Sequence, residues 1–245
     1  MLDFALRDYH IHTNNTDDGK ASLLEMAEAA AARGVSEIAV TDHYIHGLKG
    51  YCVGPAVIES HFKDAAEAKS RYGIDVLIGL EADYFKPLRK EIESTFKSFD
   101  FDIIIGSAHI VEGLGLASDY SAAAYFKRFG PETAFEKYFD RLLETIECGL
   151  FDIIGHPDIV RKFAPDAGAD IPFGNYEKHA ARAAEALIAT DTGFEINCRG
   201  FDHSPAEQYP SAGFIELLAG YGVRKVTIGS DAHETAVAGL YLDRE

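Results

Sequence analysis

Cysteine is scarce in this chain of 245 residues: Cys52, Cys148 and Cys198 are far apart and form no Cys-x-x-Cys pair. An odd, dispersed set of this kind excludes a disulfide framework and a zinc ribbon. Basic residues are also few, with 23 Lys and Arg against 40 Asp and Glu and a formal charge of −17. That balance excludes a cationic face for nucleic acid. No apolar run approaches the roughly 20 residues that a membrane-spanning helix needs. The opening Met1-Leu2-Asp3-Phe4 has neither the basic region nor the apolar core of a secretion signal. The expectation is a cytoplasmic protein with no membrane partner. Repeats, low-complexity tracts and Pro/Ser-rich linkers are missing as well, so nothing marks a boundary and one domain over residues 1–245 is expected.

What is present is an ordinary globular composition, 47% hydrophobic and 26% charged, in a chain long enough to bury roughly three quarters of its unfolded surface. Short apolar, β-branched runs alternate with longer stretches of helical period, the pattern of β-α units on a parallel sheet. Pro131 to Cys148 is the clearest helix: Pro131 suits a first turn, Phe135, Phe139, Leu142 and Ile146 recur at spacings of three and four, and Gly149 offers a left-handed cap. Ser22 with Glu25 forms a capping box opening a helix that ends at Gly34. Further helices are predicted over 55–72, 87–99, 176–191 and 211–221, and strands near 7–12, 37–41, 75–80, 102–107, 152–155, 193–197 and 225–228.

The ends of six of these seven strands carry metal-binding residue types: His10 and His12, Asp42-His43, Glu81, His109, His156, and Asp231 with His233. In a β/α barrel all the carboxyl ends meet on one face, where the active sites of such enzymes lie. An open doubly wound sheet sets its strand ends along a line and cannot surround one compact site with six sets of ligands. Only twelve residues follow His233, too few for another full β-α unit. The expected fold is therefore α/β, a TIM-like barrel of seven strands.

His10 and His12 are two apart on a strand, so both side chains point to one face and make a chelating pair. Alone, His-x-His fits a hydrogen-bonded surface pair as well as a metal site. The pattern gains weight because Asp231-Ala232-His233 repeats the spacing after the seventh strand and Asp42-His43 follows the second. Imidazole mixed with carboxylate, without thiolate, suits zinc, manganese or iron better than magnesium or calcium. His10, His12, Asp18, His43, Glu81, His109, His156, Asp231 and His233 make nine candidate ligands. A catalytic zinc takes about three from protein, so two or three divalent transition-metal ions are implied. Glu81, just past an apolar strand, suits a bridge between two of them, or a loop salt bridge.

The segments 8–13 (Asp8-Tyr9-His10-Ile11-His12-Thr13), Thr41-Asp42-His43, Gly79-Leu80-Glu81-Ala82-Asp83, Gly106-Ser107-Ala108-His109, Gly155-His156-Pro157-Asp158, Glu195-Ile196-Asn197 and 229–233 span the chain in order. In this sequence of motifs the chain resembles the PHP (polymerase and histidinol phosphatase) family, in its histidinol-phosphatase branch. The resemblance implies a distorted (β/α)7 TIM-like barrel, a trinuclear metal centre and hydrolysis of a phosphate monoester, with L-histidinol phosphate of histidine biosynthesis as the substrate. It also implies an acidic ligand about six residues after the second His of the first motif. Asp18 stands there, preceded by an equally capable Asp17 and followed by a turn-forming Gly19. After Asn197 the family usually carries small residues before a basic one, whereas Arg199 comes early here.

Phosphate monoesters hydrolyse extremely slowly in water, and clustered cations supply the required charge stabilisation and activate water, so no protein nucleophile is needed. Ser107 and Ser230 lie in no Gly-x-Ser-x-Gly elbow and read as supporting groups. Asp231 and His233 are candidates for the proton delivered to the leaving alkoxide. Arg161, then Arg199, are candidates for the phosphate oxygens left by metal, with a solvated loop charge as the alternative for each. His203 is a possible substrate contact. His61 and His179 fall in predicted helices and read as solvent-facing. Tyr44 and the aromatics of 125–129 suit either a pocket wall or packing. Rival readings are a phosphoesterase for another small ester such as a nucleotide or sugar phosphate, a metal-dependent amidohydrolase, and a non-catalytic metal-binding protein. A PHP exonuclease is opposed by the charge.

Overall fold

Aliphatic and β-branched runs build the parallel strands of this chain, and the amphipathic stretches between them build the helices that cover those strands. The structure, a computed structural model, describes residues 5–116 and 118–244. Its elements are β1 (Leu6–Ile11), α1 (Leu23–Ala32), β2 (Val35–Val40), β3 (His43–Tyr44), α2 (Pro55–Tyr72), β4 (Asp75–Asp83), α3 (Arg89–Ser98) and β5 (Ile103–Ser107). There follow β6 (Ile110–Val111), β7 (Leu114–Gly115), α4 (Asp119–Phe129), α5 (Pro131–Glu147), β8 (Ile153–Ile154), α6 (Phe173–Thr190), β9 (Gly193–Asn197), α7 (Ala212–Tyr221) and β10 (Val226–Gly229). Two compact units are formed, one from Met1–Ala82, Lys90–Ile105 and Ile228–Glu245, the other from Asp83–Arg89 and Gly106–Thr227.

In the first unit the strands run β1-β2-β4-β5, with the short β3 beside β4. The parallel register sets Ile11 against Val40, Val40 against Ile78 and His43 against Glu81. A parallel bridge from Ile11 to Ala232, with the His12 N–H donating to the Ala232 carbonyl at 2.9 Å, joins β1 to the segment that follows β10. The apolar faces of Leu23, Met26, Ile38, Ile58 and Leu80 are buried. Gly79 is obligatory where β4 passes β5, since a Cβ there would lie 2.3 Å from the Ile103 carbonyl oxygen. The Ser22–Glu25 capping box is present in full at α1. Helix α2 starts on Pro55 and stops at Gly73 in the left-handed conformation, as those residues dictate. Tyr44 is buried, its hydroxyl 2.9 Å from Thr95 Oγ1, and packs the interior.

In the second unit β8 lies parallel to β9, with Ile153 against Gly193 and Ile154 against Phe194. Its core is aromatic: Tyr125, Phe135, Tyr138, Phe139, Tyr176 and Phe214 are almost wholly enclosed, with Phe139 stacked on Tyr176 at 5.7 Å between centroids. Tyr125 and Phe126 are therefore interior residues of α4 and not pocket walls; the Tyr125 hydroxyl donates to the Ala134 carbonyl at 2.6 Å. Among the described residues no helix is long and apolar enough to cross a membrane.

Candidate metal centre

In the first unit, His10 near the end of β1 and His12 just beyond it aim the same way, as the two-residue period requires, and both are fully buried. Their Nε2 atoms lie 3.0 Å apart. Glu81 Oε2 stands 3.4 and 3.5 Å from them, and Asp231 Oδ1 3.8 and 3.4 Å. Donor atoms about 2.1 Å from one shared ion are separated by about 3.0 to 3.4 Å in octahedral or tetrahedral geometry, which is close to this spacing. A second grouping adjoins the first. Asp18 Oδ2 is 3.1 Å from His43 Nε2 and 3.1 Å from His233 Nε2, and the His12 ring stacks on that of His233 at 4.2 Å. Glu81 Oε2 also lies 2.9 Å from His43 Nδ1, so one carboxylate oxygen faces both groupings.

Local backbone explains these placements. The β3–β4 register brings His43 and Glu81 side by side. Asp18 reaches inward because the 16–19 turn folds onto the Thr13 carbonyl, where a Cβ on Gly19 would stand 1.9 Å from the Thr13 oxygen. Asp17 is exposed, its N–H bonded to the Gly50 carbonyl at 2.9 Å, so Asp18 and not Asp17 enters the cluster. Lys20 N–H donates to the His233 carbonyl at 2.8 Å, tying that loop to the last segment. Asp231 holds a left-handed backbone, φ 50°, a strained choice for a residue with a Cβ. The buried Asp8 carboxylate, which burial raises to about 6, accepts hydrogen bonds from Ser230 N (2.8 Å), Ser230 Oγ (2.5 Å) and Gly239 N (3.0 Å), locking the 230–239 segment to β1.

The cluster is fitted to cations. Burial, with His233 and His43 close by, pushes the His12 imidazole down to about 3, so it stays in the neutral form that ligates. Burial raises Asp18, but the His233 and His43 imidazoles beside it outweigh that and hold the carboxyl well below its usual range. Burial likewise opposes ionisation of Asp231, and His10, His12 and His233 overcome it. His12 Nδ1 and Asp18 Oδ1 are buried without a hydrogen-bond partner. The His233 Nδ1–H donates to the Asp231 carbonyl at 2.9 Å, which leaves a lone pair on Nε2 facing an Asp18 oxygen. Two acceptors so placed need a cation or an extra proton between them.

In the second unit His109 and His156 approach each other edge to face, 5.0 Å between centroids. The Asp83 carboxylate accepts from His109 Nδ1 at 2.7 Å and from its backbone N–H at 3.0 Å, which sets the ring and its tautomer. His156 has φ 26°, and its N–H donates to Glu195 at 2.9 Å. Arg161 is buried, donating to Asp158 at 3.4 Å and to Glu207, so the solvated-loop alternative does not hold for it. Arg199 donates to Asp202 at 2.5 Å, and His203 Nδ1 is 3.1 Å from the Tyr209 hydroxyl.

Two histidines correct the sequence reading. His61 and His179, expected at the surface, are both buried. His179 stacks on Phe139, and His61 Nε2 lies 2.9 Å from Asp42. Helical period alone misassigned them because a histidine on the inward stripe looks like one on the outer stripe until its partner is known. Sequence reasoning placed Asp42 at a strand exit and Asp8, Asp83 and Glu195 in the motif segments, but missed that these four carboxylates support other groups. Asp8 was the most accessible, since it shares the strand face of His10 and His12.

Comparison with known proteins agrees with this architecture. The PHP domain matches residues 8–199. A probable histidinol-phosphatase of Deinococcus radiodurans is 27% identical over 96% of this chain and 89% of its own. The histidinol-phosphatase of Lactococcus lactis is 26% identical over 92% and 83%. The crystal structure of the Lactococcus lactis histidinol phosphate phosphatase, in complex with zinc, L-histidinol and phosphate, superposes with a TM-score of 0.84 at 22% identity, covering 98% of this chain and 91% of that one. That of the putative histidinol phosphatase of Listeria monocytogenes gives 0.80 at 20% identity, over 94% and 96%. At such identities the likeness bears on the fold, and the fold is the expected distorted TIM-like barrel of parallel β-α units. With its motif order, its strand-end histidines and a match over residues 8–199, the chain belongs to the PHP domain family.

Proposed function

We propose that this protein is a metal-dependent phosphomonoesterase that converts L-histidinol phosphate and water to L-histidinol and phosphate. The observation that carries the reading is the buried convergence of His10 Nε2, His12 Nε2, Glu81 Oε2 and Asp231 Oδ1 within 3.8 Å of one another across the measured histidine–carboxylate pairs. His10, His12, Glu81 and Asp231 hold one divalent ion in this proposal, and Asp18, His43 and His233 with Glu81 a second. His109 and His156 are proposed as ligands too, for a total of two or three ions of zinc, manganese or iron. Bound cations supply charge for the phosphoryl oxygens and lower the pKa of water.

The remaining work falls to side chains. Asp231 and His233 are proposed to pass the leaving oxygen its proton through a water held beside them. His233 is the better placed, since its side chain is 25% exposed and so meets solvent as well as the cluster. Arg161, Arg199 and His203 are proposed to meet the substrate, phosphate replacing Glu207 or Asp202 as the partner of a guanidinium. The substrate itself is supported by the names of the relatives and by the ligands of the Lactococcus lactis structure. A panel of phosphate esters, assayed with the metal-loaded protein, tests it. Histidinol phosphate is expected to exceed nucleotide and sugar phosphates by more than tenfold in kcat/KM, about 1.4 kcal/mol. A smaller margin assigns the enzyme to another small ester.

A further inference from the structure

Helix α2 buries three residues, Ile58, His61 and Ala68, and the histidine is the polar one among them. Its Nε2 lies 2.9 Å from Asp42 Oδ2. A carboxylate can only accept, so Nε2 carries the hydrogen, and Nδ1 is then left buried with no partner. An apolar side chain at this place would fill the same space and strand no ring nitrogen. The imidazole is there for what its N–H does to Asp42.

Asp42 is itself a junction. Its Oδ1 accepts the Thr13 N–H at 2.5 Å and its Oδ2 the Thr13 hydroxyl at 2.6 Å. Thr13 follows His12 directly, and its carbonyl receives the Thr16 N–H at 3.4 Å at the start of the turn that carries Asp18. Asp42 precedes His43, and its carbonyl accepts the Glu81 N–H at 3.1 Å. Four candidate ligands, His12, Asp18, His43 and Glu81, therefore hang from segments that this one carboxylate residue fastens together. The carboxylate falls in none of the donor groupings itself; His61 Nε2 and the Thr13 hydroxyl share its Oδ2, and the Thr13 N–H takes its Oδ1.

We propose that His61 is a positioning residue of the metal centre, its Nε2–H orienting Asp42 so that Thr13 and the His12, Asp18, His43 and Glu81 segments keep ligating geometry. This rests on the reading that those residues bind cations. Glutamine places an amide nitrogen near the position of Nε2, whereas asparagine is too short to reach it. Mn²⁺ or Zn²⁺ affinity of wild type, His61→Gln, His61→Asn and His61→Leu is measured by chelator competition, alongside the thermal midpoint of each chelator-treated protein. Loss of an outer carboxylate–histidine contact typically weakens metal binding about 10- to 100-fold. That loss is expected in His61→Asn and His61→Leu, with His61→Gln within about threefold of wild type and the cation-free midpoints of the two amide variants alike. His179→Leu, a second buried helical histidine without a link to the cluster, is expected to bind cations as wild type does. Cation affinity in His61→Asn equal to wild type overturns the role of His61, as does an equal loss in the Gln and Asn variants, which marks a packing role only. Wild-type protein that takes up no cation overturns the metal reading and this inference with it.

Discussion

Glu81 is the residue on which the two donor groupings of the first unit both depend, because the same oxygen faces His10, His12 and His43. Glu81→Ala and Asp231→Ala remove charge from the cluster without opening a large apolar cavity. Each is expected to lower kcat/KM by at least about 100-fold and to lose bound metal, while the cation-free protein stays folded. Elemental analysis beside circular dichroism checks both halves of that statement. Arg161 behaves differently, because its guanidinium neutralises Asp158, which is completely buried. Arg161→Ala leaves that carboxylate its hydrogen bonds from the Ser211 N–H and the Tyr176 hydroxyl but no counter-charge, and breaking such a pair costs roughly 3–5 kcal/mol. Glu207→Ala, removing the partner whose side chain is 32% exposed, is expected to cost no more than about 1 kcal/mol. Denaturant unfolding of the two variants separates these magnitudes, and equal losses would show that Asp158 is satisfied without the arginine.

Elements were legible wherever a terminus carried its own chemistry. Pro55 and Gly73 delimit α2, and the Ser22–Glu25 box opens α1, because these signals act within one turn of chain. Strand β4 was underestimated for the opposite reason: it continues past Leu80 to Asp83 only because β3 pairs with Glu81 and Ala82, a contact no local pattern encodes. Helix α4 was overlooked since its inward residues, Ala122, Tyr125 and Phe126, read as an aromatic run, although Ser118 caps it and Gly130 ends it. The candidate ligands at strand exits were readable from the sequence; the roles of the carboxylates behind them were not, because their partners lie on other segments of the chain. This division is testable. Ser22→Ala breaks a cap on α1 and is expected to cost about 1 kcal/mol with metal affinity unchanged. Gly19→Ala pushes a Cβ into the Thr13 carbonyl, displaces the Asp18 turn, and is expected to weaken cation binding more than stability. Paired melting and metal titrations of the two variants distinguish a helix defect from a turn defect.

Across the molecule, acidic residues outnumber basic ones by 40 to 23, and the buried polar residues include His10, His12, His43, Glu81 and Asp231, whose donor atoms face one another. Cations that bind only the folded form stabilise it by mass action, about 4 kcal/mol when free metal is a thousandfold above its dissociation constant. Chelator is therefore expected to lower the melting temperature by several degrees and re-addition of metal to restore it, in a calorimetric scan at fixed ionic strength. A midpoint that does not move would mean that the cluster holds its shape without ions.

The Asp8–Ser230 contact bridges 222 positions, and the backbone bond from His12 to Ala232 runs parallel to it. A ribosome releases β1 long before the segment that completes its neighbourhood. Until residues 228–239 emerge, His10 and His12 lack Asp231, His233 and the Ser230 clamp on Asp8, and long-range closure of this kind is the slow step in folding. Completion of the donor set thereby waits for residues 228–239. A chain cut before residue 228 keeps His10, His12, Asp18, His43 and Glu81 yet lacks the Asp231 and His233 atoms that face them, so both groupings stay open on one side.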